Sequence, residues 1–363
     1  MLALSVEYPT GLQVSYTTAD YNSLLSYDGY FDNRKCYTYS TTNELFSPSS
    51  QMNSDKSCSS NSEWSGNFLN WLTMTNLDQF RSVLTGGTRD NFSDMSASNP
   101  GDTTTRTVLI RSFSDRNEYN TKKRIRTTTP GVPSAYRGSD KWVRSGGYGS
   151  KFVISNADNF ANWTATQQRL ACSASPLPGN AGTSWCFNIR VEACKTVPGV
   201  GLEANCQTKY TTAPKPEGLI QEYSSVLRYG AFGYLNETGQ SRNGGVLRSA
   251  MKSVGKERAT ATTVEPNPNK EWDENNGIFF SNPDPVDATA SAVSDSGLIN
   301  YLNKFGYAAG YKGNDPVSEL YYAALRYLRG YSLPTNYTNS LTAALKDGFP
   351  VITGSAHERG GSR

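Results

Sequence analysis

Apolar residues recur at helical spacing in only a few parts of this chain, and long polar stretches separate those parts. The clearest helix is predicted over residues 65–87, with Ser65 as its N-cap and the pair Gly86-Gly87 as its C-terminal stop. Its apolar side chains fall close to one face: Leu69, Leu72, Leu77, Phe80 and Leu84. We therefore predict an amphipathic helix that packs on a core.

Three further helices are predicted in the C-terminal part. The first begins with Pro216 at its first position and carries an apolar stripe made by Leu219, Ile220, Tyr223, Val226 and Leu227. The second is a short amphipathic helix over residues 297–307. The third spans residues 315–329, with Asp315 as its cap and Pro316 at its first position. The apolar face of the third helix is expected to cover a sheet: Val317, Leu320, Tyr321, Ala324, Leu325 and Leu328.

The predicted strands are short and scattered. The opening LALSV, residues 105–113 and residues 231–235 are rich in β-branched or other apolar side chains. Residues 244–251 fit either a strand or a short helix, and residues 255–296 are polar and rich in Pro and Asn, which predicts a long loop. Helices and strands together indicate an α/β chain.

Composition narrows the class of protein. The 36% hydrophobic content predicts a modest core, and 22 Tyr residues are available for interfaces. The formal net charge of +3 is too small to indicate nucleic acid as a partner. The isolated basic run at 122–126 does not indicate one either, and we predict that it forms a solvated loop. There is no long apolar run, so no integral membrane segment is predicted. The opening LALSVEYPT lacks the features of a signal peptide, which by itself predicts a cytosolic protein.

The six cysteines indicate an oxidising compartment instead. Residues 186–194 alternate apolar and polar side chains like a half-buried strand, which places Cys186 and Cys194 about 26 Å apart, whereas a disulfide needs Cα atoms within about 7 Å. We therefore predict the disulfides Cys172–Cys186 and Cys194–Cys206, and Cys36–Cys58 by elimination. Six unrelated buried thiols remain the alternative.

Catalytic chemistry is not indicated. The single histidine, His357, lies in a tail rich in Gly, Ser and Arg that cannot position a base. The glycine pairs lack the spacing of a phosphate-binding loop, and the carboxylates have no recognisable catalytic context. We predict a protein that is not an enzyme, with no catalytic residue and no cofactor.

Several motifs, in this order and spacing, resemble the PilY/PilC family of type IV pilus tip and biogenesis factors. They are LALSVEYPTG, GYFDNRKCYTYS, SGNFLNWLTMTNLDQFRSVLTGG, TRTVLIRSF, FNIRVEAC, LEANC, KPEGLIQEY, RYGAFGYLNE, GGVLRSAMKS, INYLNKFGY and DPVSELYYAALRYLRGY. The resemblance implies an exported protein with an N-terminal region related to von Willebrand factor A domains and a C-terminal β-propeller. This sequence shows no match to the propeller or its Ca²⁺ site.

The resemblance also implies positions for a metal site, and the residues found there are degenerate. In a von Willebrand A domain the first strand ends in DxSxS, whose oxygens hold Mg²⁺. Here Ser5 and Glu7 occupy the corresponding positions, and Asp315 stands in place of a metal-coordinating Thr. We expect neither a Mg²⁺ nor a Ca²⁺ site.

These observations combine into one prediction. The fold class is α/β, an incomplete von Willebrand factor A-like core with large disulfide-clipped, loop-rich α+β insertions. Residues 1–113 and 215–352 are predicted to form the two parts of the core, 114–214 the disulfide-rich insertion, and 353–363 an aberrant or disordered tail. Strands that follow residue 352 in the family are expected to be missing, which predicts an unstable isolated chain.

The predicted function is type IV pilus biogenesis and surface adhesion, through protein–protein contacts by part of a longer protein. The expected partners are minor pilins or other pilus components, and a host or abiotic surface. The expected location is the cell surface, reached through the periplasm, with the signal peptide upstream of this chain. The alternative is a secreted carbohydrate- or matrix-binding module unrelated to pili.

Overall fold

The structure is a computed structural model that describes residues 1–4, 14–91, 101–113, 123–145, 150–156, 184–236, 244–260, 262–306, 312 and 316–354. The chain divides into two compact units. Unit 1 comprises Met1–Tyr8 and Glu217–Arg363, and unit 2 comprises Pro9–Pro216. No helix in the described ranges is long and apolar enough to cross a membrane.

The described strands are β1 (Leu2–Ala3), β2 (Lys35–Ser40), β3 (Leu45–Gln51), β4 (Trp64–Ser65), β5 (Thr107–Ile110), β6 (Lys123–Ile125), β7 (Lys141–Ser145), β8 (Lys151–Ser155), β9 (Ser184–Asn188), β10 (Arg190–Ala193), β11 (Cys206–Gln207), β12 (Lys215–Pro216), β13 (Tyr229–Tyr234), β14 (Gly245–Lys252), β15 (Glu257–Ala259) and β16 (Val264–Pro266). The described α-helices are α1 (Gly66–Thr73), α2 (Asn76–Thr85), α3 (Leu219–Glu222), α4 (Pro285–Ala290), α5 (Leu298–Lys304), α6 (Val317–Leu328), α7 (Thr335–Thr338) and α8 (Ala343–Lys346). A 3₁₀ turn covers Ser134–Tyr136.

Unit 2 contains two main sheets. The five-stranded sheet has the order β4-β2-β3-β10-β5, with β3 and β10 parallel and the other neighbours antiparallel. The four-stranded sheet β6-β7-β8-β9 is antiparallel throughout. β5, predicted in the first domain, pairs with β10, predicted in the insertion. This shared sheet is why residues 9–113 group with the chain up to Pro216, a division that differs from the predicted boundary at 113/114.

The helix predicted over residues 65–87 is two helices, so the single-helix prediction is wrong. Ser65 caps α1 by accepting a hydrogen bond from the Phe68 amide, and Gly86 ends α2 with φ 78°, both as predicted. Between the two helices, Thr75 and Asp78 form a capping box in which each side chain accepts from the other residue's amide. A capping box satisfies the free amides of a new N-terminus, so a second helix begins there.

The strand predicted over residues 186–194 is also interrupted. β9 ends at Asn188 in the four-stranded sheet, and β10 begins at Arg190 in the five-stranded sheet. The alternating apolar side chains are buried as predicted, but Asn188 and Arg190 are buried too. Both side chains are held by hydrogen bonds. Asn188 accepts one from the Ser150 hydroxyl, and Arg190 donates one to Asp90.

Aromatic rings fill the core of unit 2. Phe152 and Phe187 stack with ring centroids 4.9 Å apart, and Trp64 meets the Phe187 ring edge-on at 5.3 Å. Further buried aromatic residues of this cluster are Tyr27, Tyr30, Phe31, Tyr37, Phe46, Phe68 and Trp71. Such ring pairs add about 0.5–1.5 kcal/mol each beyond the burial of their area.

Unit 1 is built on the three-stranded sheet β1-β13-β14. β1 runs parallel to β13 and β14 runs antiparallel to it, and both α5 and α6 pack against β13 and β14. Residues 244–251, for which strand and helix were both open, form a strand. The segment 255–296 is not only a loop, since it contains the hairpin β15–β16 and the helix α4. The fold of the chain is thus mixed α/β.

Two helix predictions in the C-terminal part of the chain need correction. Pro216 lies in β12, and the helix α3 spans only Leu219–Glu222, so Val226 and Leu227 beyond it are 74% and 50% exposed. In α6, Pro316 is the N-cap and not the first helical residue. Asp315 lies outside the described residues.

Candidate interaction surface

The helix α6 presents one apolar face to its sheet and a second apolar face to solvent. The sheet-facing side chains are Leu320, Ala323, Ala324 and Tyr327, each at most 6% exposed. Four side chains that had been predicted to cover the sheet point away from it: Val317 (51% exposed), Tyr321 (62%), Leu325 (39%) and Leu328 (49%). These four residues define the outer face of α6. The predicted sheet-covering face is therefore confirmed for Leu320 and Ala324 and wrong for the other four residues, because Ala323 and Tyr327 complete the side that meets the sheet.

Tyr327 fixes the orientation of α6 on the sheet. Its hydroxyl accepts a hydrogen bond of 2.9 Å from the Met251 amide of β14, and its ring meets Phe232 of β13 edge-on. Burial raises the pKa of the Tyr327 hydroxyl, so the hydroxyl stays protonated at physiological pH. With Tyr327 turned inward, the helical period places Val317, Tyr321 and Leu328 on the solvent side.

Tyrosine and arginine flank the outer face. The Arg326 guanidinium lies 5.7 Å from the ring centroid of Tyr322 and 5.5 Å from that of Tyr331. Its Nε donates to the Ser332 carbonyl at 2.9 Å, which holds the side chain near the end of the helix. Tyr322 and Tyr331 are 49% and 56% exposed. Aromatic residues and arginine are the side chains most enriched at protein interfaces.

Unit 1 contains a buried charged cluster around Lys252. The Lys252 ammonium lies 3.1 Å from Glu271 and 2.6 Å from Asp284. Glu271 also accepts hydrogen bonds from the amides of Leu298 and Ile299 at the start of α5. Burial by itself lowers the pKa of Lys252, but the two carboxylates outweigh it and raise that pKa. Burial raises the pKa of Glu271. The cluster joins β14 to α4 and α5.

A cleft of about 530 Å³ opens beside this cluster. Lys252 and Asp284 lie at its wall, together with Asn269, Ser291 and Lys346. These polar groups bond to one another or to backbone: Asn269 donates to Asp284, and Lys346 donates to the Ser291 carbonyl. These five polar residues of the wall therefore already have protein partners.

Unit 2 has its own charged cluster beside a disulfide. The buried Lys35 ammonium lies 3.1 Å from Glu203 and 3.5 Å from Asp32, and it donates to the Lys195 carbonyl. Glu203 accepts from the Cys194 amide at 3.0 Å. Burial raises the pKa of Glu203, while Lys35 opposes that shift. These contacts hold the 194–206 loop against β2.

Two of the predicted disulfides are present. Cys36–Cys58 has Cα atoms 6.0 Å apart, and Cys194–Cys206 has them 5.6 Å apart. Cys186 is disulfide-bonded as well, and its predicted partner Cys172 lies outside the described residues. No cysteine in the described ranges is a free thiol, so the alternative of six unpaired thiols does not hold for them.

The structure does not describe the predicted metal positions. Ser5, Glu7 and Asp315 lie outside the described residues, as does His357. Two described groups combine a carboxylate with a cysteine pair, at Glu63 and at Glu203. In both groups the sulfurs form a disulfide, and only a thiolate is a good ligand for a metal.

Pattern reasoning missed the buried ion pairs of unit 2. Arg190 pairs with Asp90 at 2.6 Å, and Lys215 pairs with Asp102 at 3.0 Å, with all four side chains at most 2% exposed. The alternating pattern of residues 186–194 predicts that Arg190 lies on the polar face of a half-buried strand. The sequence offers no signal of this burial, because residues 187–193 alternate apolar and polar side chains like a half-buried strand, whereas strands buried on both faces usually read as continuous apolar runs.

Comparisons with known proteins agree with the motifs. The family model for the PilY1 homolog small alpha/beta domain matches residues 18–153, which lie in unit 2. A type IV pilus biogenesis factor PilY1 homolog from Xylella fastidiosa is 34% identical over 97% of this chain, and a second from the same organism is 25% identical over 85%. The chain spans 30% and 22% of the length of these relatives. No solved structure matches. The chain thus resembles the PilY/PilC family of type IV pilus biogenesis factors, as its motifs predicted.

Proposed function

We propose that this chain is part of a type IV pilus biogenesis factor that acts through protein–protein contacts with minor pilins or other pilus components. The observation that carries the proposal is the 34% identity over 97% of the chain to a type IV pilus biogenesis factor homolog. The outer face of α6 supports it, because exposed apolar residues in one contiguous patch are typical of protein-binding surfaces. The related proteins are pilus biogenesis factors and not known enzymes.

The proposal includes export and a place at the cell surface. The disulfides Cys36–Cys58 and Cys194–Cys206 support it, because disulfides persist in the periplasm and outside the cell. The proposed core is von Willebrand factor A-like. Its support is the sheet of unit 1, in which two parallel strands and an antiparallel edge strand are covered by helices. We propose no Mg²⁺ or Ca²⁺ at the degenerate positions Ser5, Glu7 and Asp315.

The test is genetic. Deletion of the gene that encodes this chain is expected to reduce surface pili and twitching motility, and the wild-type gene is expected to restore both. Pili are counted by electron microscopy and by shearing them from cells. Normal piliation and motility in the deletion strain, with the product absent by immunoblot, would refute the proposed role.

Adhesion is a separate part of the proposal. The exposed rings of Tyr321, Tyr322 and Tyr331 also favour the second candidate, a carbohydrate- or matrix-binding module unrelated to pili. Glycan-array binding by the purified chain, combined with normal piliation in the deletion strain, would favour this candidate. Loss of piliation together with loss of attachment to abiotic surfaces is the result expected for the pilus factor.

A further inference from the structure

We propose that the outer face of α6 docks a single amphipathic helix of a partner protein, with acidic residues of that helix beside Arg326 and Arg329. This inference rests on the proposed function only in taking the partner to be a protein. It names the kind of partner and the residues that bind it.

The spacing of the exposed side chains fits a helix as the occupant. Val317, Tyr321, Leu325 and Leu328 are separated by four, four and three residues, so they lie along one side of α6. The four-then-three spacing of Tyr321, Leu325 and Leu328 is that of one seam of a coiled coil, in which side chains of one helix insert between those of another.

The size of the face argues against a second copy of this chain. α6 has 12 residues, and at about 1.5 Å per residue it is about 18 Å long. A stable dimer buries about 800 Å² per partner over roughly 20–30 residues. The outer face offers only a few anchoring side chains, which is the number that a single helix uses when it docks through positions i, i+3, i+4 and i+7.

The positive charge beside the outer face of α6 favours acidic residues at the edge of the partner helix. Arg326 and Arg329 lie at the C-terminal end of α6, and Arg329 is exposed to solvent. Neither has an ion pair with a carboxylate among the described residues. Glu319, the acidic residue of α6, lies in its first turn at the opposite end. Part of the Arg326 charge offsets the helix dipole, and Arg329 remains for a partner carboxylate.

The test uses the full chain and two synthetic peptides. Each peptide is a three-heptad amphipathic helix with Leu at the a and d positions, flanked by Glu in one peptide and by Lys in the other. Binding is measured by fluorescence anisotropy. The variants are Tyr321→Ser, Leu328→Ser and Arg329→Glu. The matched control is Tyr223→Ser, which alters a tyrosine of unit 1 that is 43% exposed and lies outside α6.

The Glu-flanked peptide is expected to bind more tightly than the Lys-flanked one. Tyr321→Ser and Leu328→Ser are expected to raise its Kd by about tenfold or more, as for anchoring residues of interfaces, and Tyr223→Ser to leave it unchanged. Arg329→Glu is expected to reverse the preference between the two peptides. Circular dichroism melts that match the wild type would show that each variant is folded.

Four results would overturn the proposal. The first is that neither peptide binds. The second is that the Leu328→Ser and Tyr223→Ser variants bind the Glu-flanked peptide equally tightly. The third is self-association in sedimentation runs that Leu328→Ser abolishes, which would make a second copy the occupant. The fourth is binding to phosphatidylglycerol vesicles that depends on Leu328 while no peptide binds, which would make a membrane the occupant.

The two proposals fail in different ways. If Leu328→Ser abolishes peptide binding but the strain that carries it assembles normal pili, the docking site stands and its role in pilus biogenesis fails. If deletion of the gene abolishes pili but no peptide binds, the pilus role stands and the docking site fails.

Discussion

Arg190 Nε lies 2.6 Å from an oxygen of Asp90, and the two side chains are 2% and 0% exposed. Arg190 also donates to the Asn43 carbonyl at 2.6 Å. The pair therefore ties β10 to two loops that are distant from it in the sequence.

We predict that Asp90→Asn destabilises the chain by about 3–5 kcal/mol, because it leaves the buried guanidinium of Arg190 without its counter-charge. Unfolding in urea measures the loss. The double variant Asp90→Asn, Arg190→Met is expected to be more stable than the sum of the two single losses predicts. Fully additive losses would show that the two residues do not act as a pair.

The disulfides give a second prediction. Peptide mapping of the exported protein without reductant is expected to find Cys36 linked to Cys58, Cys194 linked to Cys206, and Cys186 linked to Cys172. Replacing Cys36 and Cys58 together by Ser is expected to cost about 2–4 kcal/mol, because the unfolded chain gains conformational freedom. A link between Cys186 and Cys194, or free thiols in periplasmic material, would contradict this prediction.

A third prediction concerns pH. The Lys123 ammonium is buried and donates to the carbonyls of Trp71 and Leu72 at the end of α1. Burial, and then the charge of Arg111, lower the pKa of Lys123 well below its ordinary value. Between that lowered pKa and about 10.4, the unfolded chain binds more protons than the folded chain. The free energy of unfolding is therefore expected to rise with pH across this window.

Urea unfolding at neutral pH and at about pH 9.5 tests this expectation, the upper value lying below the ordinary lysine pKa. Lys123→Met is expected to remove most of the rise, because the side chain no longer titrates. Lys195→Met is the control, since the Lys195 side chain is 46% exposed. The same rise in Lys123→Met as in the wild type would refute the assignment to Lys123.

A fourth prediction concerns the start of α1. A Cβ atom on Gly66 would lie 2.2 Å from the Asp32 carbonyl oxygen and 2.8 Å from the Tyr37 ring. Gly66→Ala is therefore expected to cost about 1–3 kcal/mol through overpacking, although Ala has the higher helix propensity. Gly138→Ala is the matched control, because its Cβ would meet nothing within 4 Å. Equal melting temperatures for the two variants would contradict the predicted clash.

Local signals in the sequence predicted much of the secondary structure. Ser65 and Gly86 mark the ends of the α1–α2 segment as their residue types indicate. The break at Thr75 was not predicted, because an apolar stripe continues across it and only the Thr75–Asp78 capping box reveals the new start. The pairing of strands that are distant in the sequence was not predicted either, as for β5 and β10.

The candidate surface was only half predictable. The apolar residues of α6 cover more than one face, so periodicity alone does not say which of them meet the sheet. Which side of α6 faces the sheet depends on Tyr327. Its hydroxyl accepts a hydrogen bond from the Met251 amide, and the position of β14 determines this contact. The buried charges were hidden for a similar reason, since Asp90 and Arg190 stabilise each other only after the sheet has formed.

The parallel pairing of Ala3 with Phe232 has a consequence for the order of folding. A chain that emerges with its N-terminus first presents β1 before β13. During that interval all of Pro9–Pro216 emerges, and it is one continuous stretch of chain. Unit 2 can therefore complete its contacts first, and β1 stays unpaired until β13 has emerged. Contacts between residues so far apart are slow to form, so variants that delay unit 2 are expected to lengthen the exposure of β1 to mispairing.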